Sequence, residues 1–297
     1  VAYKTKEITV GYGDVTPVRI GGGNPLAYIG GPCAIESRDH TLMMAERVKG
    51  ICDKLGVPLI FKACYDKDCR SSVNSFHGVG IEEGLRILQE VRETFGIPVT
   101  SDFSVPEWGH ATGEVVDFVQ VPAYLCRQTS ILRAAASAGR PVHLKKGQFM
   151  SPWNMKNSVR KLAAFGCDEV LLTDRGTFFG YSMLVNDMTC FPIMAQTTGM
   201  PVCFDASHSI QMPTSMGNIS GGQREFIPAL VRAACSAGID ALFCETHDDP
   251  DSALSDPNTV LDIQYLEFVL SQARDTHLFR QELLAKYGDD DHVHPRD

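Results

Sequence analysis

The sequence predicts a (β/α)8 barrel, the TIM barrel, preceded by an N-terminal β-hairpin. Two observations predict the barrel. Eight short runs rich in Val, Ile, Leu or Phe recur between residues 26 and 245, each bounded by turn residues. Such continuous apolar runs suit parallel strands buried on both faces. Between them lie segments with apolar residues at helical spacing, so strand and helix alternate along the chain. A doubly wound open sheet is the competing arrangement.

Taken in order, residues 3–10 alternate weakly, Gly11-Tyr12-Gly13-Asp14 reads as a turn, and residues 15–20 alternate again, a hairpin pattern. Gly21-Gly22-Gly23-Asn24 has no Lys-Ser/Thr after it, so it reads as a connector and not as a phosphate cradle. The apolar runs are 26–30, 58–63, 98–102, 118–123, 141–146, 169–174, 201–205 and 241–245. Ser37 is placed to cap a helix that buries Leu42, Ala45, Val48, Cys52 and Leu55 and ends at Gly56. Ile81, Leu85, Leu88, Val91 and Phe95 form a second stripe, closed by Gly96. Further helices are expected near 129–138, 154–165, 225–237 and 261–273, three of them ending at Gly139, Gly166 and Gly238. The expected organisation is a hairpin extension over 1–25, a barrel over 26–285 and a flexible tail over 286–297.

Composition narrows the function classes. The chain is 44% hydrophobic and 21% charged, an ordinary globular balance. Its net charge of -9 argues against non-specific nucleic-acid binding. No apolar run approaches the roughly 18 residues of a membrane span, and no signal-peptide pattern opens the sequence. The ten cysteines are scattered with no Cys-x-x-Cys pair, so most read as reduced core residues. A cytoplasmic location is expected, with small-molecule partners, no nucleic acid and no membrane.

In a TIM barrel the active site lies at the C-terminal ends of the strands. Those ends carry Cys33, Lys62 through Arg70, Asp102, Arg127, Lys145-Lys146, Asp174-Arg175, Asp205 to His208 and Glu245 to His247. A merely structural rim does not need a charged or polar group at nearly every end. Two sets stand out. Lys62, Lys67, Arg70, Arg127, Lys145, Lys146 and Arg175 suit a ligand with more than one anionic group. Solvated surface charge is the bland alternative, strongest for Lys67 and Arg127 and weakest for Lys62, Lys145 and Arg175. Lys145 and Lys146 must point to opposite faces of their strand, and only one can face the mouth. The second set is Cys33, His208, Glu245 and Asp256. A thiolate, an imidazole and two carboxylates suit a divalent Zn, Fe(II), Mn or Co ion. Each alone is more often structural, and His247 competes as the imidazole.

At these residues the chain resembles the 3-deoxy-D-manno-octulosonate 8-phosphate synthase family, over residues 26–275. The motifs are Gly31-Pro32-Cys33-Ala34-Ile35-Glu36-Ser37, Phe61-Lys62, Pro122-Ala123-Tyr124-Leu125-Cys126-Arg127-Gln128-Thr129, Lys145-Lys146-Gly147-Gln148-Phe149, Arg175-Gly176-Thr177, Asp205-Ala206-Ser207-His208-Ser209 and Glu245-Thr246-His247. The resemblance implies a (β/α)8 enzyme of lipopolysaccharide biosynthesis, usually a homotetramer, that condenses phosphoenolpyruvate with arabinose 5-phosphate. Metal-independent members have Asn where this chain has Cys33. The resemblance therefore implies one divalent metal ion per subunit, held by Cys33, His208, Glu245 and Asp256. Lys62, Lys145 and Arg175 match residues that bind phosphoenolpyruvate. Lys67, Arg70, Ser71 and Arg127 match residues that hold the sugar phosphate, Arg127 reaching in from an adjacent subunit. The catalytic positions would be Cys33, His208, Lys145 and Asp256.

Two departures fall on the sugar side. The family reads Asp-Lys-Ala-Asn-Arg-Ser where this chain has Asp66-Lys67-Asp68-Cys69-Arg70-Ser71, and Asp-x-His-Glu where it has Asp102-Phe103-Ser104-Val105. They leave two alternatives: the same chemistry with another aldose phosphate, or a non-catalytic barrel that binds metal or sugar phosphate.

Overall fold

Each of the eight apolar runs forms a strand, and the eight close on themselves. The computed structural model describes residues 4–68, 74–216 and 219–288. The barrel strands are β1 (Ala27–Gly30), β2 (Leu59–Lys62), β3 (Val99–Asp102), β4 (Phe118–Val121), β5 (Val142–Lys145), β6 (Val170–Asp174), β7 (Val202–Asp205) and β8 (Ala241–Phe243). All pair in parallel, and β8 pairs with β1 through Ala241↔Ala27, Leu242↔Tyr28 and Phe243↔Ile29. That closure excludes the open doubly wound sheet.

The helices on the outside are α1 (Arg38–Leu55), α2 (Ile81–Phe95), α3 (Gly109–Val115), α4 (Thr129–Ser137), α5 (Met155–Ala164), α6 (Cys190–Thr198), α7 (Ile227–Ala237) and α8 (Leu266–Tyr287). Ser37 caps α1 by accepting the His40 N–H at 3.2 Å. Gly56 and Gly96 end α1 and α2 at φ of 66° and 61°, where a side chain would strain the backbone. Leu42 and Leu55 are only half-buried, so the core face of α1 is carried by Met44, Ala45, Val48 and Cys52. The α3 and α6 helices have no counterpart among the expected segments. The α8 helix begins later than expected and runs to Tyr287, past the expected boundary at residue 285.

The N-terminal hairpin forms as expected, with Ile8–Val10 antiparallel to Val18–Ile20. Ile8, Val10, Val18 and Ile20 turn inward and join Ala27, Ile29, Ile60, Phe118, Leu171, Cys203, Ala241 and Phe243 in one buried cluster. Ala27, Phe118 and Ala241 open their strands, so the hairpin stoppers the barrel at its N-terminal end. Tyr12 locks it there. Its ring lies under the Arg92 and Arg140 guanidiniums, 4.0 and 3.4 Å from the ring centre.

Candidate active site

Side chains alternate along a strand, so the inward register fixes which residues reach the open end of the barrel. Ile60, Cys203 and Phe243 belong to the apolar interior cluster. Two residues further along each strand lie Lys62, Asp205 and Glu245. On β5 the inward His143 stacks on Phe118, ring centres 5.3 Å apart, and Lys145 follows two residues later. These four charged groups form the layer above the apolar filling, all at most 5% exposed. Lys62 ion-pairs with Glu245 and donates to the Cys33 carbonyl at 2.7 Å. Lys145 pairs with Asp205 at 2.7 Å and sits 3.4 Å over the Phe243 ring. Lys146 points the other way, buried against Asp174 at 3.1 Å and the Met150 carbonyl at 3.3 Å. Lys145 is therefore the lysine of the mouth.

The four expected donors converge on this layer. Gly31 lets the chain turn in: a Cβ there would lie 2.3 Å from the Lys62 carbonyl oxygen. That turn brings the Cys33 thiol to 3.0 Å from the Ser255 hydroxyl and 3.3 Å from Asp256 Oδ2. Donor atoms of Cys33, Glu245 and Asp256 all lie within 4.8 Å of one another. His208 Nε2 is 3.7 Å from Glu245 Oε2 and 4.0 Å from Asp256 Oδ2. Asp256 has φ of 51°, one of two described non-glycine residues with positive φ. Backbone held in that region concentrates at functional sites.

Electrostatics sharpen the picture. Burial alone would raise the Asp205 carboxyl; His208 and Lys145 outweigh it and hold the group ionised, well below the usual range. An ionised Asp205 can only accept, so His208 Nδ1, 2.7 Å away, donates to it and Nε2 is the ring nitrogen that faces the donor cluster. Glu245 is likewise held well below the usual carboxylate range: burial opposes this, but Lys62, then His208, outweigh it. Burial, with Glu245 beside it, pushes the Cys33 thiol up, so a cation that takes it as thiolate displaces a proton. Glu245 Oε1 is used by Lys62, while Oε2 is buried with no hydrogen-bond partner among the described residues. A buried carboxylate oxygen left unpaired is unfavourable. One that faces an imidazole nitrogen, a thiol and a second carboxylate fits a divalent ion.

Arg175 joins the same network, donating from Nη2 to Gln211 Oε1 at 2.5 Å and to the His208 carbonyl at 3.2 Å. Its Nε is buried with no hydrogen-bond partner among the described residues. Lys67 lines a 130 Å³ pocket with Asp66, Asp102, Ser104 and Tyr124, where Ser104 donates to Asp66 Oδ2 at 3.1 Å. Arg127 is not brought to the mouth of its own barrel. It is exposed and lines a separate 310 Å³ cavity with Phe149, Asn154 and Lys161. Arg70 and Ser71 lie outside the described residues, as does Cys69. His247 is not a competing donor to the four-residue set; it faces Glu36 and Asp248.

Sequence reasoning placed Asp205 at the rim without giving it a role, and did not name Gln211 or Ser255. Asp205 stands two residues beyond Cys203 in the inward register, a signal that was readable. Gln211 connects Arg175 to Asp256 Oδ1 at 3.5 Å, and Ser255 meets the Cys33 sulfur. Neither lies on a barrel strand, and no spacing pointed to them.

Comparison with known proteins bears directly on this geometry. The DAHP synthetase I family matches residues 4–281. A 2-dehydro-3-deoxyphosphooctonate aldolase of Geobacter sp. (strain M21) is 52% identical over 257 residues, 86% of this chain and 92% of that protein. The protein of the same name from Geotalea daltonii is 52% identical over 256 residues, again 86% and 92% of the two chains. That of Cyanothece sp. (strain PCC 7425 / ATCC 29141) is 51% identical over 259 residues, 87% and 94% of the two chains.

Proposed function

We propose a metal-dependent mechanism from one premise: the chain belongs to the DAHP synthetase I family, among its 2-dehydro-3-deoxyphosphooctonate aldolases. The reaction condenses phosphoenolpyruvate with arabinose 5-phosphate and water, giving 3-deoxy-D-manno-octulosonate 8-phosphate and phosphate. The observation that carries the metal dependence is the buried Glu245 Oε2, with no hydrogen-bond partner among the described residues, set among the Cys33, His208 and Asp256 donor atoms.

In this reading Lys62, Lys145 and Arg175 bind phosphoenolpyruvate. Two of them are buried cations on inward strand positions, and the third has a buried N–H with no hydrogen-bond partner among the described residues. Such charges act most strongly where water is excluded. Lys67, with Arg70, Ser71 and a neighbouring subunit's Arg127, takes the sugar phosphate. Cys33, His208, Glu245 and Asp256 hold one Zn, Fe(II), Mn or Co ion. Bound there, such an ion would supply Lewis acidity for the acceptor carbonyl or for a water. C3 of phosphoenolpyruvate attacks the aldehyde carbon, the new C–C bond forms, and water adds at C2. The tetrahedral C2 then expels phosphate and becomes the keto carbon. Asp205 fixes His208 through Nδ1 and neutralises Lys145, so it shapes both halves of the site.

A homotetramer completes the proposal. Phe149 lines the Arg127 cavity, and Tyr124, Trp153, Phe179 and Tyr181 are each at least half exposed on neighbouring segments. Exposed aromatic surface of this kind around a cationic pocket supports a second copy covering it.

The test is phosphate release from phosphoenolpyruvate plus arabinose 5-phosphate, on protein stripped by chelator and then resupplied with each ion. Activity should vanish and return with a divalent ion, and Cys33→Ala should lower both metal content and turnover. Full activity in metal-free Cys33→Ala protein overturns the metal role.

A further inference from the structure

Glu36 has no part in the mechanism above, yet three donor-bearing segments meet on one of its oxygens. Glu36 Oε1 accepts the Leu254 N–H at 2.8 Å and lies 3.3 Å from His247 Nε2. His247 Nδ1 accepts the Asp249 N–H at 3.0 Å, so Nε2 carries the hydrogen and donates to Glu36. His247 is 3% exposed and is backed by His40, ring centres 4.7 Å apart. Glu36 follows Cys33 by three residues, in a stretch pinned to the chain just beyond β2 by Ile35 N–H to the Cys64 carbonyl at 2.8 Å. His247 follows Glu245 by two, in a short strand whose partners are Leu261 and Asp262. Leu254 precedes Asp256 by two. Cys33 and Glu245 are anchored by barrel strands, whereas Asp256 rides a loop at a strained φ of 51°.

We propose that Glu36 is a positioning residue: its carboxylate clasps His247 and the Leu254 N–H and so sets the separation of Asp256 from Cys33 and Glu245. The proposal rests on the four-donor reading above. Groups that orient metal ligands from behind are worth about 10–100-fold in metal affinity. A second cation site is the rival use of these atoms, since donors of Glu36, His40 and His247 also lie within 4.8 Å of one another. The hydrogen-bond pattern disfavours it. The His247 Nδ1 lone pair already takes the Asp249 N–H, and its Nε2 hydrogen points at Glu36.

The experiment compares wild type, Glu36→Ala and Glu36→Gln. Backbone hydrogen exchange of residues 248–256 is first read on metal-free protein by mass spectrometry. Glu36→Ala should exchange at least about tenfold faster there, with the barrel strands unchanged. Glu36→Gln should fall between, because its amide oxygen keeps the Leu254 N–H but offers His247 no charge. Zinc affinity is then read by competition with a chromogenic chelator. Glu36→Ala should bind about 10–100-fold more weakly, with phosphoenolpyruvate affinity of the metal-free protein unchanged. Wild-type exchange and wild-type zinc affinity in Glu36→Ala overturn the proposal. So does a stoichiometry of two zinc ions per wild-type subunit and one in Glu36→Ala. If wild type binds no zinc, the four-donor reading fails, and the exchange data still decide the clasp.

Discussion

Asp205 carries the charge logic of the site in one side chain. It is fully buried, and it meets Lys145 Nζ at 2.7 Å, His208 Nδ1 at 2.7 Å and the His208 N–H at 2.9 Å. Removing one member of a buried ion pair leaves the other charge without compensation, which costs about 3–5 kcal/mol. Asp205→Asn preserves shape and a hydrogen-bond acceptor but strands the Lys145 cation. We expect it to destabilise the metal-free protein by about that amount in urea denaturation. Adding Lys145→Met should recover most of the loss, because an apolar side chain of similar volume needs no counter-charge. Simple additivity of the two changes would show that Lys145 does not depend on Asp205. At this scale the sequence was readable wherever the period-two register could be continued. Lys62, Lys145 and Glu245 lie on that register, though periodicity left open which of Lys145 and Lys146 faces the mouth until the structure showed Lys146 turned outward to Asp174. The register fails for Gln211, which opens a two-stranded ribbon outside the barrel, and for Ser255, which a loop delivers. It says nothing of Arg127 either; only the family resemblance sends that side chain away from its own mouth.

Gly50 and Gly113 test how helices are read, because both sit inside helices for opposite reasons. Gly50 is exposed on α1 and a Cβ there meets nothing within 4 Å. A Cβ on Gly113 in α3 would stand 2.4 Å from the Ala138 carbonyl oxygen and 2.7 Å from the Ala138 Cβ. Gly50→Ala should stabilise by about 0.5–1 kcal/mol through helix propensity. Gly113→Ala gains the same propensity and loses about 1–3 kcal/mol to overpacking, so its net effect should be destabilising. Urea midpoints of the two variants should move in opposite directions; a shift upward in both would mean that α3 and α4 can separate without loss. The same glycines explain what pattern reading missed. Strands were legible because both faces are buried and the runs are apolar throughout. Helices with an apolar stripe and a terminal glycine were legible too. The α3 helix has no stripe, since Gly109 and Gly113 pack directly on α4. The α6 helix carries Cys190, Phe191, Pro192, Ile193 and Met194 in sequence, so no single face stands out.

At the scale of the whole molecule, Asp240 ties the N-terminal segment to the barrel. Thr5, ahead of the hairpin, donates to Asp240 Oδ1 at 3.2 Å, and the Val202 N–H donates to Oδ2 at 2.9 Å. Asp240 thereby links that segment to the starts of β7 and β8 at the end the hairpin stoppers. Burial raises its pKa to about 6, against the opposing pull of the Val202 N–H, Thr5 and Arg280. The folded chain therefore keeps the proton where the unfolded chain, near 3.8, has lost it. Stability from this group is full below about pH 4 and is lost as pH rises through about 6. Allowing for the solvent-facing edge of the side chain, the loss amounts to about 1–2 kcal/mol. Asp240→Asn mimics the protonated acid at every pH. Other carboxylates titrate in the same window, so the informative quantity is the difference in unfolding free energy between variant and wild type. That difference should shift in favour of Asp240→Asn by about 1–2 kcal/mol between pH 4.5 and pH 7. A difference that stays constant across the range would mean that Asp240 is ionised in the folded barrel throughout. The Thr5 contact would then be an ordinary charge-assisted hydrogen bond, with no role in how the hairpin responds to pH.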